Sequence, residues 1–187
     1  MRLDYVPENP SLPNPEDQAV VERVKERRGG TLIALDRALL HAPPVADGWN
    51  SFLGAIRTKT SLPTSIRELA ICRVAALNQA WYEWDAHRPI LESAKALSAS
   101  AIAALKQREH TAGVEELDDK HRAVLEYTDA MTLGCTVPDK VFASLREALG
   151  EERMVVELTA TVAAYNCVSR FLVALDVGEM RGNTGSI

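Results

Sequence analysis

Residues Trp81 to His87 read WYEWDAH, and within them Glu83 and His87 stand four positions apart. In a helix that spacing places a carboxylate and an imidazole on one face, within reach of a common proton. Histidine accepts and returns a proton near neutrality, and a neighbouring carboxylate sets its tautomer and raises its basicity. Glu68, in the preceding apolar segment, joins the pair if the two helices pack antiparallel, and a buried glutamate with a raised pKa can serve as the acid. The same residues also fit surface ion pairing or an ordinary hydrogen-bonded core histidine. Trp81, Tyr82 and Trp84 fit packing as readily as the walls of a pocket.

Other chemistries lack their patterns. A carboxylate-bridged two-metal bundle needs repeated Glu-x-x-His elements, whereas one glutamate–histidine pair is present, spaced four rather than three. His41, His110 and His121 lie in separate segments without supporting ligand spacing, so no metal site is expected. Cys72, Cys135 and Cys167 are far apart and form no Cys-x-x-Cys pair; each reads as a small apolar residue rather than part of a redox pair or zinc knuckle. No Gly-rich phosphate loop and no Gly-x-Ser-x-Gly elbow occurs.

The elements that must position Glu68, Glu83 and His87 are helical. Thr64 precedes SIRELAICRVAALNQA as a cap, and Ile66, Leu69, Ile71, Val74 and Leu77 make that helix apolar over far more than one stripe. Glu68 and Arg73 are unusual on such a rod, and each needs a partner if it faces inward. Asn78-Gln79 breaks the chain, and the next helix spans 81–97, bent by Pro89, which has no amide hydrogen for the carbonyl of Asp85.

Upstream, a proline-rich arm reaches Pro15, followed by a helix over 16–28 closed by Gly29-Gly30, another from Thr31 to before Pro43, and a third over 45–57. Downstream, the spacing predicts helices over 98–107, 117–133, 138–149 and 152–177, with a loop opening at 111–113 and a disordered GNTGSI tail. β-branched residues are scattered instead of alternating, so an all-α fold without strands is expected.

The 187 residues suit one domain, with an arm at 1–15, a helical domain at 16–178 and a tail at 179–187. A net charge of −5 with both signs interspersed disfavours nucleic acid or an anionic membrane as partner. The N-terminus carries prolines and acids where a signal peptide needs an apolar stretch, and Glu157, Asn166, Arg170 and Asp176 interrupt the apolar tract 154–177. The expected setting is soluble and cytoplasmic, without a membrane partner.

LPTSIRELAICRVAALNQAWYEWDAH, with Tyr-Asn-x-x-x-Arg at Tyr165 to Arg170, resembles the carboxymuconolactone decarboxylase family of the AhpD-like all-α superfamily, in segment order from about Thr31 to Leu175. The thiol-peroxidase branch of that superfamily carries a relay glutamate, a Cys-x-x-Cys pair and a histidine. The matching positions here are Glu68, Ala80, Glu83 and His87; both redox cysteines are missing, which disfavours alkylhydroperoxidase chemistry. Departures at Pro89, Leu91 and Ala96 and the N-terminal extension mark a divergent relative.

The resemblance implies an AhpD-like helical bundle and a cofactor-independent lyase acting on a small cyclic carboxylic acid. It implies His87 as the proton-transfer residue, Glu83 and Glu68 orienting it or donating, and Arg73 or Arg170, with Trp84 and Tyr165, at the substrate. It also implies a homo-oligomer, a trimer or a hexamer. Two other readings stay open: a non-decarboxylating tailoring enzyme (isomerase, dehydratase or oxidoreductase-like) and a noncatalytic binding or assembly protein.

Overall fold

The structure, a computed structural model, describes residues 1–108 and 112–182. Its helices are α1 (Pro15–Arg28), α2 (Ala34–Leu39), α3 (Pro43–Thr58), α4 (Thr64–Leu77), α5 (Trp81–Ser93), α6 (Ala99–Ala104), α7 (Asp119–Leu133), α8 (Asp139–Leu149) and α9 (Glu152–Leu175), with a 3₁₀ helix at Ala112–Glu116. No strand occurs among the described residues. The fold is all-α. His110, Thr111 and the last five residues, 183–187, fall outside the described residues.

The helices form two compact units. Unit 1 comprises Met1–Thr60 with Ala174–Arg181, and unit 2 has Ser61–Val173 as its body.

In unit 1, Gly29 closes α1 in the left-handed conformation at φ 78°, which a side chain at that position would disfavour. Just beyond it, Asp36 is buried and receives two hydrogen bonds from Arg28, at 2.9 and 3.0 Å, and one from the Ile33 amide. The proline-rich arm is tied down: the Arg2 amide donates to the Leu175 carbonyl, Arg37 donates to the Val6 carbonyl, and the Gly178 amide donates to the Tyr5 hydroxyl. Hydrogen bonds of this kind order the proline-rich arm.

Unit 2 is built around α4. From Leu69 to Val74 every residue is essentially inaccessible to solvent, so the all-round apolar character of this helix is matched by neighbours on all sides. Truncating one of its large side chains, such as Ile71, costs about 2–5 kcal/mol. Thr64 is the first helical residue rather than a side-chain cap; Pro63 holds the cap position in extended backbone. Proline's fixed φ sets the helix entry without a hydroxyl.

Between α4 and α5, Gln79 takes a positive φ of 55°, and the Ala80 amide donates to the Ala75 carbonyl at 2.8 Å. This short turn sends α5 back along α4. α5 runs through Pro89 without a break and ends at Ser93, short of the predicted Leu97, because Lys95 adopts a positive φ and Ser98 caps α6 by accepting from the Ala101 amide.

α9 is long and apolar enough to cross a membrane by length and composition alone. Its Val155, Leu158, Val162, Tyr165, Val168 and Leu172 are buried, together with Thr161 and Ser169. The polar members of that face agree with a core helix of unit 2.

Candidate active site

Glu68 lies on the buried interior of α4 and His87 two turns into α5, and the α4–α5 reversal brings them together. Glu68 Oε2 is 2.6 Å from His87 Nδ1, and Arg67 Nε donates to Glu68 Oε1 at 3.1 Å. Both carboxylate oxygens are thus engaged. On the far side of the imidazole, the Tyr165 hydroxyl from α9 is 3.2 Å from His87 Nε2, and the two rings meet edge to face with centroids 5.0 Å apart.

A carboxylate only accepts, so Nδ1 of His87 carries a proton directed at Glu68 and Nε2 of the neutral ring is the basic atom. Tyr165 then donates to it. Proton movement along Tyr165–His87–Glu68 requires no large rearrangement. Burial pushes the Glu68 carboxyl up, but the hydrogen bond from His87, reinforced by that from Arg67, outweighs it and holds the group below the ordinary carboxylate range.

Glu83 has the opposite character. It is 2% exposed, and burial pushes its carboxyl well above the ordinary range, with the Ser169 hydroxyl the one opposing influence. Ser169 Oγ is 3.1 and 3.2 Å from the Glu83 oxygens and 2.8 Å from the Tyr165 carbonyl. The carbonyl competes for the single hydroxyl proton, and a neutral Glu83 supplies a proton of its own to the set. The environments of two glutamates within one unit therefore push in opposite directions: His87 and Arg67 favour the carboxylate at Glu68, and burial favours the neutral acid at Glu83.

The Cys72 thiol lies one turn beyond Glu68 and is fully buried. Burial, with the nearby Glu68 and Glu83 carboxyls, pushes its pKa far up. It is a packed thiol, not a nucleophile.

The remaining sequence-predicted residues are placed elsewhere. Arg73 is fully buried and bidentate with Asp129 of α7 at 2.5 and 2.8 Å; its other amines donate to the carbonyls of Leu105, Gln107 and Arg108. This guanidinium closes the segment after α6 against α4 and α7 and offers nothing to a ligand. Arg170 is exposed and folded back on Asn166 of its own helix, at 3.0 and 2.5 Å. The Trp84 side chain is buried, with Lys106 Nζ 5.3 Å from its ring centroid, which makes it a packing group capped by a cation.

Two residues of the cluster, Arg67 and Ser169, carried no assigned role in the sequence. Arg67 sits beside Glu68 in the Arg-Glu-Leu run, and Ser169 lies one turn after Tyr165. Both signals were available as spacing, but neither points inward until the helices are packed.

Among the described residues no group of three or more His, Cys, Asp or Glu is placed to hold a metal ion. His41 contacts the Asp4 carbonyl at 2.7 Å. His121 lies between Asp118, at 2.7 Å, and Ser65, at 3.1 Å.

This helical fold is AhpD-like. Residues 43–126 match the model of the carboxymuconolactone decarboxylase family. No curated protein matches the sequence.

Among solved structures, a protein of unknown function from Agrobacterium tumefaciens, suggested to be the antioxidant defence protein AhpD, shares 19% identity with a TM-score of 0.65, covering 74% of this chain and 92% of its own. An uncharacterised peroxidase-related protein from a Silicibacter species has 16% identity and a TM-score of 0.74, covering 98% and 95%. A variant of the debrominase Bmp8 in complex with 2,3,4-tribromopyrrole has 15% identity and a TM-score of 0.65, covering 92% and 89%. At these identities the likeness is one of fold.

Proposed function

We propose that this protein is a cofactor-independent lyase that decarboxylates a small cyclic carboxylic acid, lactone- or polyketide-derived. The observation that carries this reading is the buried Glu68–His87–Tyr165 chain, a proton-transfer array with a defined direction. The match of residues 43–126 to the carboxymuconolactone decarboxylase family supports it, as does the absence of a Cys-x-x-Cys pair from the sequence.

In the proposed reaction the carbon–carbon bond to the carboxylate breaks and carbon dioxide leaves. The electron pair flows into the conjugated lactone and is taken up by one proton that His87 Nε2 acquires from solvent and passes to the product, which returns the ring to its neutral form. Hydrogen bonding or protonation at the electron-accepting end matters most in the transition state, where negative charge accumulates there. His87 moves the proton, and Glu68 holds its tautomer and stabilises the imidazolium. Neutral Glu83 is a second buried acid in the same unit.

Incubation with 4-carboxymuconolactone and with related carboxylated lactones tests the reading. One equivalent of carbon dioxide per substrate consumed is expected. Products that keep the carboxylate carbon identify an isomerase, dehydratase or other tailoring enzyme instead. Self-association as a trimer or hexamer belongs to the same proposal, and exposed Leu133, Phe142 and Val156 provide apolar surface for it. A monomer by light scattering at micromolar concentration overturns that part.

A further inference from the structure

The cluster has a graded exposure. Glu68 is 1% exposed, His87 7% and Arg67 14% by side chain. Arg67 is therefore its solvent-facing edge.

Of the guanidinium nitrogens, Nε donates to Glu68 Oε1, and the two terminal amines make no hydrogen bond among the described residues. No buried polar side-chain atom lacks a partner, so those amines keep some access to solvent. The other arginines considered for the site are spent, Arg73 on Asp129 and three carbonyls and Arg170 on Asn166.

A guanidinium pinned at Nε is held in orientation with its Nη fork directed outward, the geometry that takes a carboxylate bidentately. The carboxylate of Glu68 satisfies only part of that donor capacity.

We propose that Arg67 anchors a carboxylate of the substrate through its two terminal amines, at the most exposed edge of the Glu68–His87 pair. The proposal rests on reading that cluster as the active site. It also assigns a chemical requirement to the ligand. A carboxylate held by a cation is stabilised as the ground state, whereas a departing carboxylate loses its charge in the transition state. The anchored group is thus an anion the substrate keeps, not the carboxylate that leaves. The contrasting assignment, in which Arg67 only neutralises Glu68, predicts no preference for anionic ligands.

The test is calorimetric titration of the full-length protein with 5-oxotetrahydrofuran-3-carboxylate, a saturated lactone acid with no conjugated sink for decarboxylation, and with its carboxamide. The wild type is expected to bind the carboxylate about tenfold or more tightly than the carboxamide. Arg67→Gln should abolish the preference. Arg67→Lys, which keeps a positive charge beside Glu68 and guards against a folding defect, should retain a reduced one, since a point charge replaces the fork. Arg146→Gln, on the surface of α8, should behave as wild type.

Equal binding of the two ligands by the wild type, an unchanged preference in Arg67→Gln, or no binding of the carboxylate at millimolar concentration each overturns the proposal. Failure of the decarboxylase reading looks different: no carbon dioxide is released from any conjugated acid while the Arg67-dependent preference persists.

Discussion

Glu68 Oε2 and His87 Nδ1 lie 2.6 Å apart across the α4–α5 reversal, although nineteen positions separate them in the chain. The contact fixes which imidazole nitrogen carries a proton and leaves the other facing Tyr165. It gives the site a direction, from the phenol through the ring to the carboxylate.

The first consequence concerns turnover. Replacing His87 by Ala, or Glu68 by Gln, should lower the rate of carbon dioxide release by about 10²–10⁴-fold, the usual scale for loss of a positioned acid–base group. Far-UV circular dichroism should show the helical content preserved. Unchanged turnover in His87→Ala sinks the role given to the imidazole.

Tyr165 makes a smaller and separable contribution. Tyr165→Phe keeps the ring packed against His87 but removes the hydroxyl, at a cost of about 0.5–1.5 kcal/mol for one hydrogen bond, or up to roughly tenfold in rate. A relay role additionally requires the pH–rate profile to move in this variant. A profile identical in shape to wild type would reduce Tyr165 to a packing residue.

The two glutamates should imprint opposite pH dependences on stability. Glu68 titrates below its ordinary value in the fold, so its contribution is present above the unfolded-state pKa and disappears as pH falls through the folded one. Glu83 titrates well above its ordinary value, so the native state holds the proton more tightly. Its presence becomes a growing liability as pH rises from the unfolded-state pKa toward the folded one. Urea unfolding of Glu83→Gln, which mimics the neutral acid, should show stabilisation relative to wild type at neutral to alkaline pH and convergence with it at acid pH. A constant difference across that range would contradict the protonated assignment.

Arg73 and Arg170 should separate cleanly by stability. Arg73→Ala strips Asp129 and three carbonyls of their donor and should destabilise by about 3 kcal/mol, toward the lower end for broken buried pairs because Asp129 retains some exposure. Arg73→Lys should recover only part of this, since an ammonium cannot reproduce the planar fork. Arg170→Ala, on the surface, should change the unfolding free energy by no more than about 0.5 kcal/mol. Equal effects at the two positions would refute the structural role of Arg73.

Helix type and order were legible in the chain because periodic apolar residues and Gly, Pro and Asn breaks act locally. The α4 rod, the Asn78-Gln79 turn and the Gly29 and Gly150 stops follow from such signals. The four-residue spacing of Glu83 and His87 was equally local, and one of the two, His87, lies in the buried cluster with Glu68 and Tyr165. What it suggested, a Glu83–His87 pair, is not the contact that forms: His87 joins Glu68 and Tyr165, while Glu83 turns to Ser169. Which arginine is free was likewise undetermined. Arg67, Arg73 and Arg170 all interrupt or adjoin apolar helices, and one becomes a core clamp, one a surface residue and one the partner of Glu68.

Sequence by itself determined the helical fold, the missing redox cysteines and the residue types available for acid–base chemistry, since these are matters of pattern and identity. Tertiary structure alone decided pairing and protonation. Those depend on burial and on partners from α4, α5 and α9, and the free energy of a charge is set by the groups around it rather than by its neighbours along the chain.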